Sequence, residues 1–512
     1  MTVGTVNAPP SGVAHANPAH DSALSKVAEQ VGHAVGTAER LFRAAIGQGV
    51  SPMATDLAAF AARASYEHLT PAVVDALKIR VLDSLACACG ALDGPPVRAL
   101  GEQMDDFGAG RGATLIAGGE AAPDRAACYN TALVRYLDFM DNFMATGETC
   151  HPSDNFAGVL AAAEYANAHG RDFLTSLAVA YQVQCRLVEL APITEQGFDH
   201  TTQLAYSVAA GAGRALGLDA HTIANALGMA GAVSNTLWVT RTGGVSQWKG
   251  LQSAAVAGAA THHTFLAMRG VTGPIDVFDG VKGFMESIAG SFRVNWQAED
   301  LGAVLRTSVK RYNAEVHSQS AIEGVLDLHR EHRFDPDNIE QIRIEIFDEA
   351  VEIIGGGEAG GRQADVEHKE EADHSLPYAV SVAILDGDVW PDQYRQERIV
   401  RDDVQRLLRR VSVRPHSIVP GLRSKWLDTY SWRYPDEMPC LITVTMRDGR
   451  KVTKEKRDYL GFYKRPLSWD WVAQKFRRLT AEAPVDADRI IDIVSRLDRV
   501  NVRELTAPLR VE

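Results

Sequence analysis

The chain lacks what marks a nucleic-acid or membrane protein. Its 52 Lys and Arg are outnumbered by 65 Asp and Glu, a net charge of −13, so a nucleic acid or an anionic bilayer is repelled by the molecule as a whole. No apolar run is long enough to span a bilayer, because the Ala/Gly-rich stretches are interrupted by Arg214, Asp219, His221 and the pair His262 and His263. Cysteine is scarce and scattered. Cys87, Cys89, Cys128, Cys150, Cys185 and Cys440 form no CxxC pair, which signals neither a zinc knuckle nor a disulfide framework and suits a reducing cytoplasm. Residues 1–24 hold no Lys or Arg, so no basic targeting segment is legible. Pro9, Pro10, Gly12 and Pro18 predict a disordered tail, and residues 22–46 an amphipathic helix.

Nucleotide and metal motifs are also missing. Gly211, Gly213 and Gly217 resemble a dinucleotide loop, but the third glycine comes one residue late and no strand precedes it. The glycines at 355–357 and 360–361 precede no Gly-Lys-Ser/Thr and read as a lid loop. His262 and His263 are adjacent, cannot share one helix face and make a poor metal pair. The basic run at 406–414 reads as a solvated helix face and its exit.

What is present is mostly helix. Pro71 opens a helix after Thr70, and Asp124 is a predicted N-cap. Further helices are predicted at 156–168, 172–190, 202–217, 220–235 and 246–269. Gly273 and Pro274 break the series. Residues 341–347 and 441–446 then alternate as strands, the second turning at Arg447-Asp448-Gly449-Arg450 into a return strand at 451–454. Helices intervene at 318–330, 375–386 and 400–412, and the chain is helical again from Ser468. The pattern predicts a mainly α protein. A large all-helical domain (53–272 plus 465–512) follows a tail and helix (1–50) and carries an inserted, smaller α+β lid domain (273–464).

Chemistry concentrates at residues 137–155. Asp138, Asp141, Glu148, Asp154, Asn142 and His151 crowd a predicted helix end and the loop after it, with Asp138 and Asn142 four apart on one face. Either this is an inward-facing polar pocket or an ordinary wet helix end. Other polar residues open apolar helices: His200 before one helix, Lys249 near the start of an Ala-rich one, Lys310 and Tyr312 with His317, and His374 ahead of Tyr378. Singly, a capped helix or a surface lysine explains each. Together they are equipment for binding a small polycarboxylate and moving protons on carbon.

The segments LDFMDN, HPSDN, GFDHTT, VSQWKG, GVTGP, VKRYNAEVHSQ and DHSLPY occur in that order and resemble the MmgE/PrpD family over roughly residues 53–465. The family includes 2-methylcitrate dehydratase, cis-aconitate decarboxylase and iminodisuccinate epimerase. The resemblance implies a cleft site without metal or organic cofactor, in what is usually a homodimer. Matched motif by motif, Asp138, Asn142, His151, His200, Lys249, Lys310, His317 and Tyr378 fall at site positions. HPSDN with the VSQWKG lysine resembles the 2-methylcitrate dehydratase branch. Met140, Asn142 and Asn313 depart from the usual pattern and put the substrate in question. On this reading His151, Asp138, His200, Lys249 and Tyr378 are catalytic, with Asp138 orienting His151. Asn142, Lys310, Tyr312, His317 and His374 bind substrate. A decarboxylase or epimerase using the same pocket remains open, as does a helical binding protein without turnover.

Overall fold

The computed structural model describes residues 52–241, 245–356, 366–417 and 427–511. The predicted tail and amphipathic helix, and the glycines at 357, 360 and 361, lie outside them. The described chain is mainly α. Its principal helices are α1 (Met53–Arg63), α2 (Pro71–Gly90), α3 (Pro95–Phe107), α4 (Pro123–Tyr136), α5 (Phe156–Tyr165), α6 (Gly170–Leu190), α7 (Thr201–Ala215), α8 (Ala220–Val233), α9 (Trp248–Met268), α10 (Gln319–His332), α11 (Asp348–Ile354), α12 (Leu376–Asp386), α13 (Trp469–Leu479) and α14 (Ala487–Ser495). A short hairpin of β1 (Phe143–Ala145) and β2 (Glu148–Cys150) follows α4. A second, four-stranded sheet holds β3 (Ile339–Ile346), β4 (Val411–Pro415), β5 (Cys440–Met446) and β6 (Lys451–Lys456) in the order β4-β3-β5-β6.

Two large hydrophobic cores form among the described residues, beside two small clusters. One gathers apolar side chains from α1 through α9 and is joined by Val472 and Phe476 of α13 and Ile490 and Val494 of α14. The other packs Ile342, Ile344, Ile442 and Val444 of the sheet against Ile322 and Val325 of α10 and Val380 and Ala383 of α12. The alternation of β3 and β5 produces this, since alternate residues of a strand face opposite sides. The β5–β6 turn carries Gly449 at φ +86, where a left-handed conformation is needed.

Three local expectations fail. α4 stops at Tyr136, so Asp138 and Asn142 share no helix face. Asp138 itself adopts φ +54, which ends the helix in the left-handed region that Asp tolerates better than most residues. Asn142 instead exchanges backbone hydrogen bonds with Ser308. Asp124 is not the N-cap of α4: Pro123 takes the first helical position and Asp124 lies in the first turn. The predicted helix at 400–412 ends at Leu408, and Val411–Pro415 becomes strand β4, paired parallel with β3.

α13 is tied to the opposite end of the chain by one buried ion pair. Lys475 Nζ lies 2.7 Å from Asp83 of α2, donates to the Phe139 carbonyl at 2.7 Å and sits over the Phe139 ring. It thus clamps the turn beside Asp138. Burial pushes the Asp83 carboxyl up, against Lys475 and Arg80. Removing one partner of such a pair strands the other charge. Lys475→Met should therefore lower unfolding free energy by about 3–5 kcal/mol in urea titration, and a loss below about 1 kcal/mol, the range of surface pairs, would show the clamp to be idle.

Candidate active site

Asp138 is the centre of a buried charge cluster. Arg135 Nη1 donates to its Oδ1 at 2.7 Å, and Lys310 Nζ to the same oxygen at 2.8 Å and to its carbonyl at 2.6 Å. Lys249 Nζ and His374 Nδ1 each lie 3.8 Å from Oδ2. Burial alone would raise the Asp138 carboxyl, but Lys310, Arg135, Lys249 and His374 hold it well below the usual range. Asn313 donates to the Leu137 carbonyl at 2.6 Å and so fixes the turn that presents Asp138.

Lys249 is 4% exposed. Burial pulls its ammonium down to about 8, against the opposing pull of Asp373 and Asp138. It lies 3.3 Å from Asp373 Oδ1 and 2.8 Å from His374 Nδ1, while Asp373 Oδ1 is 2.6 Å from that same ring nitrogen. Asp138, Asp373 and His374 bring potential ligand atoms within 4.8 Å of one another, the one such group found among the described residues. The Lys249 ammonium already stands among them, so the position a metal would take is filled by a cation of the chain itself.

Next to this cluster a cavity of about 250 Å³ opens. Asp138, Arg135 and His374 line one part of it, with His151, His200, Arg241 and Trp238. Glu148, Glu315, His317 and Tyr434 line it further, together with Glu195, Asp348, Glu349 and Glu352.

The two histidines from the helical part face each other edge to face, ring centroids 5.3 Å apart. His151 Nδ1 is 2.8 Å from Asn142 Nδ2 and 3.1 Å from the Asp141 carbonyl. Its orienting partners are therefore Asn142 and the Asp141 backbone, not Asp138 as expected. Burial, then Arg135 and His200, push the His151 ring well below its ordinary value, so it is neutral. His200 Nε2 lies 2.9 Å from Arg241 Nη2 and must accept from the guanidinium, which puts the neutral ring's proton on Nδ1. That Nδ1 has no partner among the described residues. Burial brings His200 down to about 3, although Asp199 opposes it. Asp199 is in turn gripped by Arg241.

His317, 1% exposed, spans the other wall, with Nε2 3.0 Å from the Tyr434 hydroxyl and Nδ1 2.9 Å from Glu315. The sequence thus found Asp138, His151, His200, His317 and His374 on the cavity, and Asn142 directly behind His151. Lys249 and Lys310 back Asp138 from outside the cavity lining. Tyr378 and Tyr312 do not reach it. Tyr378 is fully buried and its hydroxyl donates to the Gln393 carbonyl, while Tyr312 is packed in the second core under Arg311. Arg135, Arg241, Asp373, Glu315 and Tyr434 were missed. Three of them had a local signal: Arg135 lies three residues before Asp138, Glu315 two before His317 and Asp373 next to His374. The remaining carboxylates of the 137–155 segment are buried but structural: Asp141 takes Ser153 N–H and Tyr181 O–H at 3.0 Å each, and Asp154 takes Ser253 O–H at 2.8 Å.

Residues 55–297 match the MmgE/PrpD N-terminal domain and residues 312–499 the MmgE/PrpD C-terminal domain. The chain belongs to the MmgE/PrpD family. Among its relatives, a cis-aconitate decarboxylase of Mus musculus is 26% identical over 381 residues, covering 69% of this chain and 71% of the relative. A 2-methylcitrate dehydratase of Escherichia coli (strain K12) is 25% identical over 369 residues, covering 66% and 72%.

The neutral histidines have a measurable consequence. As pH falls through about 6.5 the unfolded chain protonates these imidazoles while the folded chain does not, so their contribution to stability falls on acidification. Nitrogen-15 NMR of the His200 ring should show no imidazolium above pH 5. An imidazolium signal at pH 6 would contradict the assigned electrostatics.

Proposed function

We propose that the chain is a cofactor-independent lyase that dehydrates 2-methylcitrate or a related citrate-like tricarboxylate to the corresponding cis-aconitate. The observation that carries this reading is the conjunction of a buried cationic cluster (Arg135, Lys310, Lys249) with neutral histidines on one small cavity. The relatives' names supply the reaction type, and their low identity leaves the substrate to experiment.

The chemistry follows from the geometry. Dehydration removes a weakly acidic proton beside a carboxylate and expels hydroxide from the neighbouring carbon. Arg135 and Arg241 on the cavity wall bind carboxylates of the substrate, and Lys310 and Lys249 behind Asp138 stabilise the charge that develops on the enediolate-like intermediate. His151 is neutral at rest, and a bound trianion raises its affinity for a proton, so it is placed to act as base. His374 has Lys249 at its back. Its Nδ1 lies 2.6 Å from the ionised Asp373 and donates to it, so the ring takes its second proton on Nε2 and, as an imidazolium held by Asp373, gives it to the departing hydroxyl. Water leaves, and the carbon–carbon double bond forms from the electrons of the broken C–H bond.

The sheet-bearing part, which supplies Glu315, His317 and Tyr434, serves in this reading as a lid over the helical part. A homodimer is part of the proposal, supported by the exposed apolar side chains Val233, Leu237 and Trp248, which a second copy would cover. Among the described residues no helix is long and apolar enough to cross a membrane, and the free cysteines suit a reducing cytoplasm.

One observation favours a second reading. Glu195, Asp348 and Glu352 add negative charge to the cavity lining, which would suit an amino or imino diacid and an epimerase-type proton exchange. A panel of citrate, 2-methylcitrate, cis-aconitate and iminodisuccinate followed by proton NMR separates the readings. A new vinylic or conjugated product from 2-methylcitrate supports dehydration. CO₂ release from cis-aconitate, racemisation of the imino diacid, or no turnover of any of the four would overturn it. With the substrate found, Lys249→Met should lower kcat by about 10³-fold and remove any loss of rate as pH rises through 8. Near-normal kinetics would remove Lys249 from the mechanism.

A further inference from the structure

Glu148 is the one carboxylate on the cavity wall whose hydrogen bonds all run to the chain segment that leads to His200. It opens β2, after the left-handed Gly147 at φ +81, and is 5% exposed. Its Oε2 accepts from the backbone N–H of Ile193 at 2.7 Å and of Thr194 at 3.0 Å, and its Oε1 from the Thr194 hydroxyl at 2.6 Å. Three residues on, just past the end of β2, comes His151, and six beyond Thr194 comes His200. The same segment continues through Asp199, whose backbone N–H is held by the Thr236 carbonyl and whose carboxylate grips Arg241. One side chain therefore joins the two pieces of backbone that deliver the facing histidines.

We infer that Glu148 is a positioning residue that sets the distance and angle between His151 and His200, and that its protonation state is read out at both rings. A carboxylate offers acceptors to all three donors. A carboxylic acid reverses the Thr194 hydroxyl bond and gives the two backbone donors on Oε2 a neutral acceptor in place of an anion, so protonation loosens the 193–194 turn. Burial pushes the Glu148 carboxyl up to about 7, partly offset by the Thr194 and Ile193 donors, with Asp199 adding to the rise. Glu195 follows Thr194 on the same loop, and Asp348, Glu349 and Glu352 line the same cavity from the sheet-bearing part. Asp199 lies on the loop side, tied to Arg241 and beside His200. Cys150 lies on the same strand, hydrogen-bonded to Cys185 of α6 and held protonated by burial. Tyr434 reaches the neighbouring Thr149 hydroxyl at 3.4 Å. Neither the Cys150 thiol nor Tyr434, both pushed upward by burial, nor the two histidines, pushed downward, change charge near neutrality. Glu148 is thus the group braced between these two connections whose titration burial brings to neutrality.

The test needs no substrate. In protein with nitrogen-15 histidine, assigned through His151→Gln and His200→Gln, both ring signals should move with a common midpoint near pH 7 while their shifts remain those of neutral imidazole. Glu148→Gln should abolish that midpoint and raise amide exchange at Ile193 and Thr194 at least tenfold. Ring signals that stay flat between pH 6 and 8 in the unaltered protein would overturn the inference. So would a midpoint that survives Glu148→Gln, or faster exchange at 193–194 with both rings unmoved, which is what a purely local brace would give. If Glu148→Gln fails to fold, Glu148→Asp keeps the charge but shortens the reach. A displaced midpoint then supports the inference, and an unchanged one overturns it.

Discussion

The structure of the site depends on keeping one carboxylate, Asp138, ionised where water does not reach. A buried carboxylate alone would take up a proton. Here an arginine three residues earlier and two lysines from distant segments converge on it, so the anion and its cations stabilise each other. The geometry needs the backbone to turn sharply at that point, and Asp138 itself makes the turn in the left-handed region. Residues held in such conformations persist where their surroundings over-determine them. Asn313 on the Leu137 carbonyl and Lys475 on the Phe139 carbonyl provide that constraint from either side. A fold-level clamp and the polar cluster thus meet at one short turn.

Charge around the cavity is unevenly placed. The cations concentrate behind and beside Asp138, while Glu315, Asp348 and Glu352 come from the sheet-bearing part. An anion entering the cavity is drawn toward Arg135 and the lysines behind Asp138 and away from Glu315, Asp348 and Glu352. Orientation then follows from field as well as from contacts. The histidines lie between these regions, and burial keeps His151 and His200 uncharged, so they can accept or donate protons without first losing a counter-ion.

Much of this was legible in the sequence because much of it is local. Apolar spacing gave the helices, Gly449 the hairpin, and the crowding of polar residues at 137–155 the site. The end of α4 was misread because Asp138 fits a helical spacing that only its left-handed turn breaks. Asp373, Glu315, Arg241 and Tyr434 were missed for a different reason. Arg241 and Tyr434 take their meaning from Asp199 and His317, 42 and 117 residues away. Asp373 gains Lys249 from 124 residues before it, and no periodicity encodes such pairings. Glu315 stands two residues from His317 but meets its ring only in the fold. Tyr378 and Tyr312 were over-read: a hydroxyl at the mouth of an apolar helix points as readily into a core, where Tyr378 finds a backbone carbonyl.

The central claim is that the cations assembled on Asp138 form an anion-binding device whose tunable member is Lys249, an ammonium lowered to about 8. A bound polyanion favours the charged form, so binding at pH 8 must draw a proton from solution. Calorimetric titration with citrate in buffers of different ionisation enthalpy measures that proton directly. The account predicts uptake of a fraction of a proton per citrate at pH 8, most of which is lost in Lys249→Met. Citrate binding with no net proton uptake at pH 8, or uptake that survives undiminished in Lys249→Met, would contradict it.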